Sequence, residues 1–184
     1  MDKYDVLQMI QSDDEMMEII RAARTLGLHD WWVCAGFVRS KIWDVLHGFT
    51  ERTAIPDVDV IYYDPSYVDE NVEKLLEEKL TSLMPHVPWS VKNQARMHTV
   101  NNLSPYISSV DAISKFPETA TALGLTLDKE NNLVLIAPWG LEDVLNLVIK
   151  PTPMFTETKE LAAIYEERIV KKNWKGTWHK VRVY

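Results

Sequence analysis

A chain of 184 residues suits one domain, or a compact core with an appendage, and can bury a substantial hydrophobic core. Its formal charge of -7 argues against a general nucleic-acid coat protein, and its longest wholly apolar run, residues 31–38, is too short to span a bilayer. The first residues lack the basic start and apolar block of a secretory signal, and the single cysteine, Cys34, allows no internal disulfide. We therefore expect a cytoplasmic protein without a membrane partner.

The first third of the chain predicts two helices, a strand and a third helix. A short helix is expected over residues 4–10. A longer one over 13–28 is capped by Asp13 or Ser12 and has a regular apolar stripe. Residues 31–35 form an apolar run of strand length that ends at Gly36. Helical spacing of apolar residues then predicts a helix over 38–47, which Gly48 ends: these residues are Val38, Ile42, Val45 and Leu46.

Residues 57–64 predict a short strand that carries two acids. The run is rich in strand-forming residues, and Pro56 and Pro65 stand at its ends. Because side chains alternate along a strand, Asp57 and Asp59 share one face, roughly 7 Å apart at Cα. Two carboxylates this close repel each other and favour a shared cation. The alternative is an exposed strand end with two solvated acids.

Downstream, the pattern alternates between helices and strands. An amphipathic helix is predicted over 68–83, with Glu73, Glu77 and Glu78 on its exposed face, followed by a strand over 89–97. On one face of that strand lie Ser90, Lys92, Gln94 and Arg96. Residues 98–109 predict a loop and 111–116 a short helix. A hairpin over 119–127 and 132–136 follows, then helices over 141–148 and 156–170.

The last 35 residues are basic and rich in aromatic side chains. They contain eight Lys or Arg against four Glu, and the cations alternate with Trp174, Trp178 and Tyr184. Such a mixture can hold phosphates and stack bases. We favour the alternative, in which the tryptophans pack on the body of the protein and the cations pair with its acids.

The order of these elements resembles a known superfamily. A strand, a glycine turn, a helix and a strand that opens with Asp-x-Asp are similar to the core of the nucleotidyltransferase superfamily that contains polymerase beta. Gly36-Phe37-Val38-Arg39, with Leu46-His47-Gly48 and Asp57-Val58-Asp59, resembles the head motif of its tRNA-nucleotidyltransferase and poly(A)-polymerase branch. Residues 91–98, 104–106 and 116–121 resemble a bacterial family of small nucleotidyltransferase-like proteins. The resemblance extends from about Trp31 to Trp178.

The resemblance implies an α+β fold, a nucleotidyltransferase-like mixed β-sheet flanked by helices. The stiff connection Lys150-Pro151-Thr152-Pro153 is the best candidate for a boundary, so residues 1–150 would form this domain and 151–184 a C-terminal helix and basic tail packed on it. The implied function is Mg²⁺-dependent transfer of a nucleotide from a nucleoside triphosphate to RNA, a protein or a small molecule. Asp57 and Asp59 would be the catalytic residues and metal ligands, with Mn²⁺ as an alternative to Mg²⁺.

Five further residues are candidates for holding the triphosphate: Gly36, Arg39, Lys92, Arg96 and His98. Gly36 lets a phosphate approach the backbone where a helix begins, and the other four supply positive charge. For Arg39 the alternative is an ion pair with an acid such as Asp44; for the other cations it is an ordinary surface strand.

The sequence also departs from the superfamily pattern. The strand over 89–97 lacks the third acid that polymerase-like members carry there, although Asp64 or Asp111 can be considered as substitutes. Gly36 is followed by Phe37 instead of serine or glycine, and the spacing to Asp57 is long. Two other functions therefore stay open: an inactive nucleotide- or RNA-binding module, and an antitoxin-like interaction protein that uses exposed tryptophans as contact anchors.

Overall fold

The computed structural model describes all 184 residues as a mixed sheet with helices on its faces. Its strands are β1 Trp32–Cys34, β2 Val58–Tyr62, β3 Trp89–Asn93, β4 Gly124–Leu127, β5 Leu133–Ile136, β6 Val148–Ile149 and β7 Arg182–Val183. Its helices are α1 Lys3–Gln11, α2 Asp14–Arg24, α3 Gly36–His47, α4 Glu70–Leu83, α5 Gln94–Met97, α6 Ser109–Ser114, α7 Glu142–Leu145, α8 Lys159–Lys172 and α9 Trp174–Thr177. The predicted α+β class is confirmed. None of the helices is long and apolar enough to cross a membrane.

The main sheet has the strand order β3-β2-β1-β4-β5. β2 and β3 are parallel, and the other neighbours are antiparallel. Cys34 at the end of β1 pairs with Asp59 near the start of β2, and Asp59 pairs with Ser90 on β3. Antiparallel pairing thus brings the exit of β1, where α3 begins, to the same edge of the sheet as the acids that open β2.

Helices α1 to α4 close the core because each packs apolar residues against the main sheet. In α2 the buried residues include Met16, Ile20 and Ala23, which recur at helical spacing. The Asp13 side chain caps α2 by accepting a hydrogen bond from the Met16 N–H, and its carboxylate also pairs with Lys41 and Arg52. This contact ties α2 to α3 and to the loop before β2.

The predicted strand over residues 89–97 ends earlier, at Asn93. Asn93 caps α5 by accepting a hydrogen bond from the Ala95 N–H, and its amide donates to the carbonyls of Asp64 and Tyr67. This competition by an asparagine side chain turns the backbone out of the strand. The alternation of side chains predicted that Lys92 and Arg96 share a strand face. This prediction is wrong, because Lys92 lies in β3 and Arg96 in α5.

Glu73 corrects a second expectation, because it is not on the solvent face of its helix. It is 1% exposed and accepts hydrogen bonds from the Asn93 N–H and from the Arg96 guanidinium at 2.6 and 2.7 Å. The predicted strand over 119–127 is also shorter, since residues 119–121 form a 3₁₀ turn before β4.

The C-terminal segment packs on α3. The rings of Trp174 and Trp178 meet Trp43 edge to face, with centroids 6.3 and 5.2 Å away. The indole of Trp178 donates a hydrogen bond of 2.8 Å to the Asp44 carboxylate, which also accepts one from the Thr53 N–H. β7 then pairs with β6. Asp44 thus joins α3, the loop before β2 and the C-terminal segment.

We predict that this packing carries much of the stability. Trp178 is 5% exposed, so Trp178→Ala should lower the free energy of unfolding by about 3–5 kcal/mol, measured by urea denaturation. Trp178→Phe keeps most of the apolar area and should cost about 1 kcal/mol, through the lost hydrogen bond to Asp44. Trp139, 43% exposed, is the matched control, and Trp139→Ala should cost less than Trp178→Ala. Equal losses at the two positions would contradict the prediction.

Candidate active site

The turn between β1 and α3 forms one wall of the site. Ala35 has φ 57° and ψ -121°, a left-handed conformation that strains a residue with a Cβ, and its N–H donates to the Leu123 carbonyl on the segment before β4. α3 begins at Gly36, and no side chain caps its first N–H groups. A 12-residue helix therefore presents a free N-terminus, with its partial positive charge, at the sheet edge.

The two acids predicted to share a face lie beside this turn, since Cys34 pairs with Asp59. Asp57 and Asp59 both line a cavity of about 240 Å³ at the sheet edge. Burial, together with the charge of Asp57, raises the pKa of Asp59 from 3.8 to about 6, against the opposing effects of Ser90, Lys172 and Arg168. No third His, Cys, Asp or Glu joins the pair to form a larger metal-binding cluster.

Arg39 projects from α3 into an aromatic environment. Its guanidinium carbon lies 5.0, 4.9 and 5.7 Å from the ring centroids of Trp43, Trp174 and Trp178, which we call the tryptophan box. The side chain is 7% exposed, its Nε has no hydrogen-bond partner, and no carboxylate forms an ion pair with it. Burial lowers its pKa to about 10, so it stays charged at neutral pH. The alternative pairing with Asp44 is not formed.

Helix α8 also contributes to the lining of the cavity. Arg168 and Lys172, one helical turn apart, both line it, together with Gly36, Arg39, Asp57 and Asp59. Glu118, which is fully buried, accepts hydrogen bonds from the Arg168 Nε and the Thr121 hydroxyl. The position of Arg168 is therefore set by a buried ion pair, whereas Lys172 is exposed. We call this 240 Å³ space the first cavity.

The structure brings together some of the residues selected from the sequence and separates others. Gly36, Arg39, Asp57 and Asp59 all line the first cavity. Lys92 lines an adjacent cavity that shares Asp59 and Arg168 with the first.

Two of the selected residues lie elsewhere. Arg96 forms a two-pronged ion pair with the buried Glu73 and lines neither cavity. His98 stands in a 3₁₀ turn with its ring 6.1 Å from that of Tyr106, and its Nδ1 is buried without a partner.

Two residues of the site were not selected from the sequence. Arg168 and Lys172 belong to the basic C-terminal stretch, whose excess of cations was visible, but nothing local distinguished these two from their neighbours. Their spacing of four residues on one helix was the available signal. Only the long-range contact of α8 with Glu118 shows that they reach the acids.

The cavity contains two kinds of binding group, one for a cation and one for phosphates. Paired carboxylate oxygens are the ligands that hard divalent cations such as Mg²⁺ prefer. A free helix N-terminus, two arginines and a lysine are the groups that hold phosphates. The site can therefore hold an anion with several phosphates against a metal ion.

Comparison with known proteins agrees with this chemistry. A family model described as nucleotidyltransferase matches residues 21–183, so the chain belongs to the nucleotidyltransferase family, and the predicted superfamily is confirmed. None of the curated proteins compared with the chain matches it. An NMR structure described as revealing a CCA-adding enzyme head domain is similar to this chain with 38% identity and a TM-score of 0.90. That match covers 100% of this chain and 96% of the other.

More distant structures share the fold alone. A CCA-adding enzyme in complex with CTP superposes with a TM-score of 0.60 at 12% identity, over 100% of this chain and 43% of the enzyme. A tRNA-processing enzyme in an apo form gives 0.54 at 17% identity, over 90% of this chain and 44% of that one. The chain thus spans less than half the length of these two enzymes.

The raised pKa of Asp59 predicts a pH-dependent stability in the absence of divalent metal. Its carboxylate ionises more readily in the unfolded chain, so the stability it contributes is present below about pH 4 and is lost as the pH rises through about 6. Asp59→Asn should therefore be more stable than the wild type above pH 6, by about 1–3 kcal/mol, and equally stable below pH 4.

The measurement is urea denaturation across this pH range with a chelator present. Asp64→Asn is the matched control just beyond the other end of β2. Hydrogen bonds from Ser66 lower the pKa of Asp64, so this variant should gain no stability above pH 6. Equal stability of wild type and Asp59→Asn at every pH would show that neither burial nor the charge of Asp57 raises the pKa of Asp59.

Proposed function

We propose that this protein transfers a nucleotide from a nucleoside triphosphate to an acceptor hydroxyl, in a reaction that depends on Mg²⁺. One observation carries the proposal: a pair of acids and a set of phosphate-binding groups, among them Arg39 without a carboxylate partner, line the same cavity of about 240 Å³. The family supports the reaction class. The complexes of CCA-adding enzymes with CTP and ATP support a nucleoside triphosphate as the donor.

The donor set fits a divalent cation. Burial first, and then the charge of Asp57, raise the pKa of Asp59 to about 6, and a cation held by the two acids would offset both effects. Mg²⁺ uses few protein ligands and takes the rest from water and phosphate, and Mn²⁺ can replace it. When bound, the ion neutralises negative charge that develops on the transferred phosphate.

The residues around the acids bind and orient the triphosphate. The first turn of α3, with its free N–H groups, lines the cavity together with the side chains of Arg39, Arg168 and Lys172. Because Arg39 is rigidly enclosed and Arg168 is held by Glu118, these donors need little reorganisation when an anion binds. Their role is to hold the leaving pyrophosphate portion in place.

The absence of a third acid favours a second candidate, a protein that binds the nucleotide without turning it over. β3 is the neighbouring strand on which polymerase-like members carry their third acid, and here it has Ser90 in register beside Asp59. The antitoxin-like alternative has less support, because Trp174 and Trp178 are buried and cannot serve as contact anchors. The activity measurement below separates turnover from binding alone.

We predict that triphosphate binding depends on the cations of the first cavity. Arg168→Gln and Lys172→Ala should each weaken binding of ATP or CTP with Mg²⁺ about tenfold or more, because each removes charged contacts to phosphate. Isothermal titration calorimetry measures this directly. The matched controls are Arg21→Gln and Lys171→Ala, exposed positions outside the first cavity, which should leave affinity unchanged.

The acids are tested in the same assays. With Mg²⁺, triphosphate should raise the melting temperature of the wild type, and Asp57→Asn and Asp59→Asn should lose that increment together with any transfer of label from the α-phosphate. A wild type without a Mg²⁺-dependent shift would contradict the proposed function. A shift without any transfer would assign the protein to the second candidate.

A further inference from the structure

A second cavity lies beside the first, on the other side of Asp59 and Arg168. Its volume is about 200 Å³, and the two cavities share Ala35, Asp59 and Arg168. Its walls are apolar where Ile61, Met97 and Phe116 line it. The polar groups in it include Lys92, Gln94 and Thr121. Nothing in the proposed triphosphate site uses this space.

The geometry of nucleotidyl transfer indicates which reactant the second cavity would hold. In nucleotidyl transfer the attacking and leaving oxygens lie roughly in line on opposite sides of the α-phosphorus. If the pyrophosphate portion occupies the first cavity and the α-phosphate lies at the acids, the attacking hydroxyl enters from across Asp59. The second cavity is the space on that side.

We propose that the second cavity binds the acceptor, and that the acceptor is a nucleoside unit whose adenine base is recognised by Gln94. The inference rests on the proposed function, since it takes the first cavity as the triphosphate site. The acceptor is either a free nucleotide or the terminal nucleotide of a strand, because both present the same base and hydroxyl chemistry.

Gln94 lines the second cavity, where its amide can recognise a base. It is 5% exposed, yet its amide donates just one long hydrogen bond, 3.5 Å to the Lys92 carbonyl, and its oxygen accepts none from the protein. Neither polar atom of this amide is sealed in the core without a partner, so its unused hydrogen-bonding capacity is turned to the second cavity and is open to a ligand. A glutamine amide offers one donor and one acceptor side by side, which matches the N6 and N7 edge of adenine.

The other walls suit the rest of a nucleoside. Phe116 provides a ring on which a base can stack, and Ile61 and Met97 form apolar surface beside it. Lys92 is only loosely paired, 3.7 Å from the Glu73 carboxylate, and leaves positive charge for a phosphate of the acceptor. The cavity is smaller than the usual 300–1,000 Å³ of ligand pockets, so it accommodates one such unit and not several.

The proposed step balances without a further reactant. The acceptor oxygen forms a bond to the α-phosphorus of the triphosphate, and the bond from that phosphorus to the bridging oxygen of the β-phosphate breaks. Pyrophosphate leaves through the first cavity, and the hydroxyl proton passes to water. The products are the acceptor extended by one nucleotide, pyrophosphate and a proton.

The test supplies triphosphates labelled at the α-phosphate, with Mg²⁺, to the full chain together with three sets of acceptors. The first set is the four ribonucleoside 5′-monophosphates, and the second is short oligoribonucleotides that differ in their last base. The third contains hydroxyl compounds without a base: glycerol 3-phosphate and a serine peptide. We expect label on an adenosine acceptor in preference to a cytidine one, about tenfold by kcat/KM. Labelling of monophosphates or of oligoribonucleotides identifies the source of the nucleoside.

A variant and a binding probe make the test independent of folding. Gln94→Leu should raise the KM for the acceptor about tenfold and reduce the preference for adenine, with the KM for triphosphate unchanged. Binding of inorganic tripolyphosphate, measured by calorimetry, reports on the first cavity and confirms that the variant is folded. The control is Gln11→Leu, an exposed position on α1, which should change neither constant.

Three results overturn the inference while the proposed function stands. They are label on compounds without a base, equal use of adenosine and cytidine acceptors, and a Gln94→Leu variant with an unchanged KM for the acceptor. Triphosphate binding with no label on any nucleoside acceptor overturns it as well. A wild type that binds neither tripolyphosphate nor triphosphate instead refutes the proposed function, and the inference fails with it.

Discussion

A buried arginine without a carboxylate partner is the constraint around which the site is built. Removing a charge from water costs several kcal/mol, and most buried arginines recover this through an ion pair. Arg39 has three tryptophan rings within 6 Å instead, each of which offers a cation–π contribution of about 0.5–2 kcal/mol. The rings stabilise the charge without neutralising it. The positive field of Arg39 therefore remains available to an anion in the first cavity.

The other cations show why this distinction matters. Arg96 donates both of its hydrogen bonds to the buried Glu73. This pairing raises the pKa of Arg96, connects α4 to α5 and neutralises the charge of Arg96 within the structure. Arg168 uses only its Nε for Glu118 and still lines both cavities. Whether a cation serves structure or ligand depends on how much of its hydrogen-bonding capacity the fold already occupies.

Much of the fold could be predicted because its signals are local. The apolar run before Gly36, the helical spacing after it and the alternation around Asp57 and Asp59 each arise within a few residues. The errors lie where a side chain far along the chain decides the outcome. Asn93 ends β3 by bonding to residues near position 65, and Glu73 is buried because Arg96 and Asn93 pair with it.

For the same reason, only part of the candidate site could be predicted from the sequence. Asp57, Asp59, Gly36 and Arg39 come from adjacent elements whose pairing follows from the order of the strands. Arg168 and Lys172 come from a helix more than 100 residues further along the chain, and no local pattern states which face of that helix meets the sheet. A tertiary contact with Glu118 supplies that information.

The strained residue at the start of α3 has a consequence for how the protein folds. Ala35 is held at a positive φ by its N–H bond to the Leu123 carbonyl, a contact that closes a loop of nearly 90 residues. Closing such a loop costs conformational entropy, and the contact depends on β4 lying in place beside β1. The turn that presents the free N-terminus of α3 is therefore a product of tertiary structure and not of the local sequence. A chain in which α3 has formed but β4 has not paired with β1 would lack this turn.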